Sequence, residues 1–235
     1  MAETESRLVG RFAAALAART GQGPLTARLC AVSAELLDAD GTAVTVTTRA
    51  TRQLLIATDD MAKTLEGVQD VAGQGPSLDA ARGRDVVIAR FGPGAADRWP
   101  LLLDQQLIVG FAGTVICAPL LCGDALVGVL SAHRSGDELP TDRLTAAFLG
   151  HTVGTAMLLD PQLDHPEALS PRAWSSMAVV HQATGMVVAQ VGVHQDDAVA
   201  LLRAQAFFQN TTLEDVATQV VQRGINFRDF TIEGD

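Results

Sequence analysis

The strongest constraint on the fold is a stretch near the C-terminus, residues 173–222, in which apolar side chains recur every three or four positions. The pattern is typical of short amphipathic helices joined by tight connections. It predicts three helices, at residues 173–191, 195–209 and 212–222. A three-helix domain therefore occupies the C-terminal part of the chain.

Local signals mark the ends of these helices. Gly192 follows the first apolar stripe, at the position where a left-handed cap favours glycine. Thr211 and Glu214 have the spacing of a capping box and predict the start of the third helix. On the second helix, the stripe places Phe208 in the core, which leaves its neighbour Phe207 on a different side.

The preceding residues have the order helix, two strands, helix, loop, strand, helix, two strands, helix. This order predicts an α+β domain built around an antiparallel sheet. Three prolines between residues 160 and 171 indicate a linker. The predicted organisation is an N-terminal helix at 1–23, an α+β domain at 24–159, a linker at 160–171, a three-helix domain at 172–225 and a tail at 226–235.

Charge and cysteine usage exclude several classes of protein. The formal net charge is −10, and residues 166–235 carry four arginines against eight acidic residues. A nonspecific nucleic-acid coat would need a basic face instead. The three cysteines are scattered and form no C-x-x-C motif, which favours reduced thiols over a disulfide framework or a zinc site. We expect no metal and no cofactor.

The N-terminus is acidic and lacks the apolar core of a signal peptide. No run of eighteen apolar residues is present, so no membrane span is expected. These features predict a cytoplasmic protein.

The C-terminal stretch resembles the ANTAR family of RNA-binding transcription antiterminators. The residues that carry the resemblance follow the family's order and spacing over about fifty positions: HQATGMVV at 181–188, Gly192, Asp197-Ala198, LLR at 201–203, Asn210, LEDVA at 213–217, and Val220-Val221. The resemblance implies a three-helix domain that acts as a dimer, binds structured RNA in a leader transcript and prevents a terminator hairpin from forming.

Seven residues are candidate RNA contacts: Gln182, Thr184, Gln190, Arg203, Phe207, Asn210 and Arg223. Arginine pairs with phosphate or stacks on bases, although Arg203 has an alternative as a surface ion pair with a nearby aspartate. Phe207 either stacks on an unpaired base or covers a dimer or linker surface. Thr184 stands where the family usually has a lysine, so this chain lacks the positive charge that would contact phosphate there.

Residues 24–159 resemble the GAF family of small-molecule sensory domains. The matching segments are GQGPSLDA at 73–80, DRWP at 97–100, and the hairpin formed by 117–121 and 126–130. Together, the two segments resemble the actinobacterial GAF–ANTAR regulators. The fold implied is an α+β GAF domain, an antiparallel sheet flanked by helices, followed by an all-α three-helix ANTAR domain.

The position of the GAF motifs suggests five residues that line a ligand pocket: Ser77, Asp79, Arg90, Trp99 and Cys117. The alternative is a closed pocket filled by apolar side chains, Phe91, Leu101 and Ile108. Family members often have a cysteine where Ser77 stands, so a covalent chromophore at that position is not expected.

The sequence therefore predicts a homodimeric, RNA-binding transcription regulator with a small molecule as a possible effector. Two alternatives stay open. Helices two and three faintly resemble a DNA-binding helix-turn-helix, although the third helix begins with acidic residues. Cys117 and Cys122 suggest a thiol-dependent reductase of GAF fold, but such an enzyme needs an accessible thiolate. No catalytic signature is present, so we expect no enzyme.

Overall fold

The computed structural model describes residues 2–47, 52–92, 98–103, 106–108, 110–136, 143–160 and 171–230. They form an N-terminal α+β unit, residues 2–160, and a C-terminal helical unit, residues 171–230. The predicted fold class, an antiparallel sheet flanked by helices followed by three helices, is confirmed. Most of the predicted linker, residues 161–170, lies outside the described residues.

A five-stranded antiparallel sheet, in the order β2-β1-β5-β4-β3, forms the centre of the N-terminal unit. Its strands are β1 (Gly41–Thr47), β2 (Arg52–Ala57), β3 (Val87–Phe91), β4 (Gly113–Cys122) and β5 (Ala125–Ser135). The predicted hairpin between β4 and β5 is present. Gly123 adopts φ 55° in its turn, a left-handed conformation that glycine reaches without strain.

Helices cover both faces of this sheet. They are α1 (Ala2–Ala17), α2 (Leu25–Leu37), α3 (Asp60–Ala72), α4 (Pro76–Gly83), α5 (Pro100–Leu103) and α6 (Arg143–Leu158). Helices α2 and α6 pack on one face with α1 against them, whereas α3, α4 and α5 lie on the other. The candidate ligand pocket belongs to the second face.

Strand β4 is buried on both sides. Ile116 and Leu120 enter the core beneath α2 and α6, while Val115 and Cys117 enter the core beneath α3 and α4. Alternate residues of a strand point to opposite faces. Burial on both faces therefore explains why this strand has almost no polar positions.

Two glycines let α6 lie directly on the sheet. A Cβ atom at Gly150 would be 2.5 Å from the carbonyl oxygen of Pro119, and one at Gly154 would be 2.9 Å from the nitrogen of Leu121. Both distances are shorter than any tolerable contact. The helix and the β4 backbone therefore approach each other to a separation that only glycine permits.

The C-terminal unit contains α7 (Pro171–Val191), α8 (Gln195–Gln209) and α9 (Leu213–Val221), followed by a 3₁₀ turn at Phe227–Phe230. Gly192 has φ 74°, and its N–H donates to the carbonyl of Val188 at 2.8 Å, as expected of a helix cap. The helices enclose their own core, whose buried residues include Ala183, Val187 and Leu202. None of the helices within the described ranges is long and apolar enough to cross a membrane.

Two expectations for this unit are wrong: the cap of α9 is shifted by one residue, and α8 is rotated so that it buries a different face. The capping box uses Thr212 and Asp215 instead of Thr211 and Glu214, with the Asp215 N–H donating to the Thr212 hydroxyl at 3.1 Å. Phe208 is 82% exposed, whereas Phe207 packs against the core. The buried stripe of α8 is formed by small and branched residues, Ala198, Val199, Leu202 and Ala206, so the helix is turned away from Phe208.

Candidate functional site

A buried cluster of charges lies between β2, α3 and α4. Arg52, at the start of β2, donates to the carboxylates of Glu66 and Asp70, which are four residues apart on α3. The Asp70 contact measures 2.5 Å, and Arg52 also donates to the hydroxyl of Ser77 at 2.5 Å. The side chains of Arg52 and Glu66 are only 6% and 1% exposed. This cluster therefore links the predicted pocket residue Ser77 to α3.

The charges of this cluster depend on one another. Burial raises the pKa of Asp70, against the lowering effect of Arg52, and the nearby carboxylate of Glu66 raises it further. Burial lowers the pKa of Arg52, but the attraction of Asp70 and Glu66 outweighs burial and raises it overall. Arg203 of α8 is a further cation that lowers the pKa of Asp70. The electrostatic surroundings of the cluster thus include a cation of the C-terminal unit.

Four of the five predicted pocket residues lie on the face covered by α3, α4 and α5. Ser77 is buried, and its N–H donates to the side-chain oxygen of Gln69 at 2.8 Å. Asp79 accepts from the indole N–H of Trp99 at 3.1 Å. Cys117 is fully buried, and burial raises its pKa well above the ordinary value. Arg90 lies apart from them, exposed on β3 between the buried Ala89 and Phe91.

Apolar side chains fill much of this face. Phe91 and Ile108 are 6% and 5% exposed, and the Phe91 ring stacks on Trp99 at a centroid separation of 6.4 Å. Leu101, which the alternative of a filled pocket also included, is 45% exposed. The described part of this face thus resembles a packed core with the polar cluster of Arg52 and Ser77 at its margin.

Several predicted RNA contacts are engaged within the protein. Thr184 is 3% exposed, and its hydroxyl donates to the carbonyl of Val180 at 2.8 Å. Phe207 packs on the C-terminal core. Arg203 is half-buried, and its Nε is buried without a hydrogen-bond partner. Thr184 is therefore closed to solvent, whereas Arg203 and Phe207 are partly exposed.

Other candidates lie on the surface of the C-terminal unit. Gln182 is exposed on α7. Asn210 is exposed and caps α8 in the left-handed conformation, with φ 51°. Arg223 is exposed as well and has φ 61° just beyond α9. These three side chains are therefore accessible to a large partner such as RNA.

The structure brings Gln190 and Arg223 together in an open groove of about 410 Å³ between the end of α7 and the C-terminal turn. Asn226 and Arg228 line the same groove. The amide oxygen of Gln190 accepts from the backbone N–H of Phe227 at 2.9 Å. The lining thus combines two arginines with amide and apolar side chains and contains no carboxylate, so its polar part favours an anionic ligand.

Arg228 also stabilises the end of α7. Its Nε donates to the carbonyl of Gln190 at 3.0 Å, and Nη2 donates to that of Ala189 at 3.4 Å. Carbonyl groups at a helix C-terminus lack helical partners and attract cations. The turn that carries Arg228 is therefore an integral part of the C-terminal unit.

Comparison with known domain families assigns both units. Residues 24–159 match the family model of the GAF domain, and residues 171–221 match that of the ANTAR domain. The chain is a GAF–ANTAR protein. A GAF domain is a sensory domain, and an ANTAR domain implies RNA-binding antiterminator regulation.

Several solved structures are similar to part of this chain. The nlh2 GAF domain of A. aeolicus in an inactive state is 14% identical, with coverage of 66% of this chain and 96% of the other, at TM-score 0.44. The second GAF domain of DevS from Mycobacterium smegmatis is 20% identical over 55% and 86%, at TM-score 0.39. The GAF/HD domain protein of Geobacter sulfurreducens is 19% identical over 57% and 91%, at TM-score 0.42. A search of curated proteins finds no match.

Sequence reasoning missed two features of this GAF–ANTAR protein. It assigned residues 226–235 to a tail, although Arg228 closes α7 and lines the groove. The apolar residues Ile225 and Phe227, both buried, were the available signal. It also missed the cluster of Arg52, Glu66 and Asp70, because ion pairing between a strand and a helix leaves no periodic pattern.

Among the described residues, no group of three or more His, Cys, Asp and Glu is arranged to hold a metal ion.

Proposed function

We propose that this protein is an antiterminator that binds a folded leader transcript as a homodimer. By stabilising an antiterminator fold of the RNA, it keeps the segments that would form the terminator hairpin from pairing. The GAF domain adjusts this activity through a small-molecule effector or through dimer contacts. We propose no catalytic step for either domain.

The observation that carries this proposal is the groove at the end of α7. The ANTAR region is acidic overall, so a general attraction to nucleic acid is not expected. The groove nevertheless places Arg223 and Arg228 beside Gln190, without a carboxylate in its lining. Guanidinium groups bind phosphate through two parallel hydrogen bonds, and amides recognise base edges. The groove therefore supplies a local site for an RNA backbone in spite of the net charge.

The first experiment is to crosslink the protein to RNA in cells and to sequence the recovered transcripts. We expect leader RNAs with paired stem-loops to be enriched. The recovered stem-loops then serve as probes in gel-shift titrations, together with duplex DNA of the same sequence. Preferential binding to duplex DNA would contradict the proposal and favour the helix-turn-helix alternative.

Arg223→Ala tests the groove with the recovered RNA. We expect RNA affinity to fall roughly tenfold, because a hydrogen bond to a charged group is lost. The dependence of log K on log salt should become shallower by about one, as one phosphate contact disappears. Arg11→Ala, at an exposed position on α1, is the matched control and should change neither quantity. Equal effects of the two variants would show that Arg223 has no specific role.

The proposed lining of an effector site consists of Ser77, Asp79, Trp99 and Cys117. A thermal-shift screen with cyclic nucleotides and metabolites tests this part. An effector present at one hundred times its Kd stabilises the native state by about 2.7 kcal/mol and raises the Tm. If no compound across a broad library raises the Tm, the dimer role of the GAF domain is favoured, and sedimentation of the full chain measures that role directly.

A further inference from the structure

Helix α3 contributes to two cores at once. Leu65 and Val68 are buried in the GAF core against the sheet. Val71, on the next turn, is 6% exposed and lies in the ANTAR core with Leu202 and Val216. Helix α3 contacts both α8 and α9. The ANTAR domain therefore packs against the GAF domain of its own chain through this helix.

Two opposite charges on α3 match two opposite charges on the ANTAR domain. Asp70 interacts electrostatically with Arg203 of α8, and Lys63, the only lysine in the chain, interacts with Asp215 at the start of α9. Lys63 and Asp70 are separated by two helical turns, about 10 Å, on the same side of the helix. Complementary charges at two points add to the packing of Val71 and favour this contact.

Arg203 supplies a charge that the GAF cluster lacks. Within the GAF domain, Arg52 is bonded to two carboxylates, Glu66 and Asp70. The side chain of Asp70 is only 16% exposed. A single arginine faces two carboxylates in this cluster, and Arg203 is a further cation whose charge acts on Asp70 when the two domains are in contact. The GAF surface around Asp70 is therefore electrostatically complementary to the ANTAR domain.

The contact does not satisfy Arg203 fully. Its Nε is buried and has no hydrogen-bond partner, although a guanidinium group can donate five hydrogen bonds. A phosphate that accepts from the whole fork offers Arg203 a better partner than Asp70 does. Arg203 is half-buried on α8, the helix that packs against α3, so the whole guanidinium fork becomes accessible to RNA only after the two domains separate.

Resting on the proposed RNA-binding function, we propose that GAF helix α3 and the RNA compete for the same face of α8. In the closed chain, α3 packs against α8 and Arg203 lies half-buried there. RNA binds Arg203 only when the ANTAR domain leaves α3. The groove around Arg223 stays on the surface of the closed chain and contacts RNA in either state. The GAF domain therefore lowers RNA affinity for as long as the contact is closed.

Asp70→Asn in the full chain tests this competition. The substitution keeps the shape of the side chain and removes the charge that attracts Arg203. We expect roughly tenfold tighter binding of the recovered stem-loop RNA, within the usual range of coupling between sites. Hydrogen exchange of α3 and α8 amides, measured without RNA, should become faster because the contact opens more often.

Asp85→Asn is the matched control. Asp85 is an exposed carboxylate that also accepts from an arginine, Arg143, but this pair lies away from α8. The control changes the net charge by the same amount as Asp70→Asn. It should leave RNA affinity within twofold and should not alter exchange in α3 or α8.

Lys63→Glu provides a second variant that leaves the buried cluster intact. Lys63 is exposed, and the reversed charge repels Asp215. We expect the same two changes as for Asp70→Asn, with a smaller gain in affinity of roughly threefold, because exposed charge pairs contribute little. If Asp70→Asn fails to fold, Lys63→Glu therefore still tests the proposal.

The possible outcomes separate this proposal from the proposed function. If Asp70→Asn and Lys63→Glu speed exchange while RNA affinity stays at the wild-type value, the competition is wrong and RNA binding stands. If neither variant changes exchange, the α3 contact does not hold the domains together and the proposal is overturned. If the wild type and all variants fail to bind RNA, the proposed function fails, and the competition fails with it.

Discussion

At the scale of single residues, the cysteines illustrate how burial determines chemistry. Cys30 and Cys117 are fully buried in the GAF domain, whereas Cys122 is half-buried at the end of β4. Burial raises the pKa of Cys30 to about 12, in spite of the lowering hydrogen bond with Thr42, and raises that of Cys117 well above its ordinary value. Nucleophilic thiol chemistry needs a thiolate, which these two side chains do not provide at neutral pH.

We therefore expect one fast-reacting thiol per native chain. At pH 8, a thiol with a pKa of about 12 is ionised in roughly one molecule in ten thousand. Titration with a chromogenic disulfide reagent should label Cys122 quickly and the other two only in denaturant. Cys122→Ser should abolish the fast phase. Rapid labelling of native Cys117 would instead revive the thiol-reductase alternative.

At the scale of helices and strands, the start of α9 is held by a reciprocal cap. Asp215 donates its backbone N–H to the Thr212 hydroxyl, and its carboxylate accepts from the hydroxyls of Thr212 and Thr211. We expect Thr212→Ala to lower the free energy of unfolding by about 1 kcal/mol. Thr211→Ala is the comparison and should cost less, because it leaves the Asp215 N–H bonded. Chemical denaturation of both variants measures the difference, and an equal loss would show that the bond from the Asp215 N–H to Thr212 adds no stability of its own.

The same cap predicts a pH dependence. The hydrogen bond from Thr212 is the largest cause that lowers the pKa of Asp215 in the folded chain. The unfolded pKa is about 3.9, so the stabilising contribution is present above that value and is lost as pH falls through the lower folded value. Asp215→Asn should therefore flatten the decline of the unfolding free energy below about pH 4. Glu214→Gln, in the same helical turn, is the control, and a decline as steep as wild type in Asp215→Asn would contradict this account.

Element types were predictable from the sequence, but the rotation of α8 was not. The order of helices and strands follows from periodicity and turn residues, both of which are local. The face that α8 buries depends on how closely α7 and α3 approach it. Close approach selects Ala198 and Ala206 for the core and leaves the large Phe208 outside. The size of an apolar side chain is therefore a poor guide to its burial at such a packed joint.

The candidate sites show the same limit. The sequence suggested Gln190 and Arg223 as candidate RNA contacts, and the structure joins them in one groove. It also indicated Arg203, whose environment depends on Asp70 more than a hundred residues earlier in the chain. No local pattern reports a contact between two domains. Such partners become visible only when the fold brings the helices together.

At the scale of the whole molecule, α3 connects the stability of the two domains. Val71 is buried among ANTAR residues although it belongs to the GAF domain. We expect the wild-type chain to unfold in one calorimetric transition. Val71→Asp places an uncompensated charge in the shared core, which is costly, and should split the transition into two. Val9→Asp, at a position on α1 that is 51% exposed, is the control and should retain a single transition. Two separate transitions in the wild type would show that the domains are independent.

The glycines of α6 restrict how this protein can vary over evolutionary time. Any side chain at Gly150 or Gly154 would meet the backbone of β4 at less than 3.0 Å, so replacement requires the helix to move off the sheet. The exposed Leu144 and Leu158 on the same helix meet no such barrier. Natural variants of this chain should therefore accumulate changes on the exposed side of α6, while the side that contacts β4 keeps its glycines.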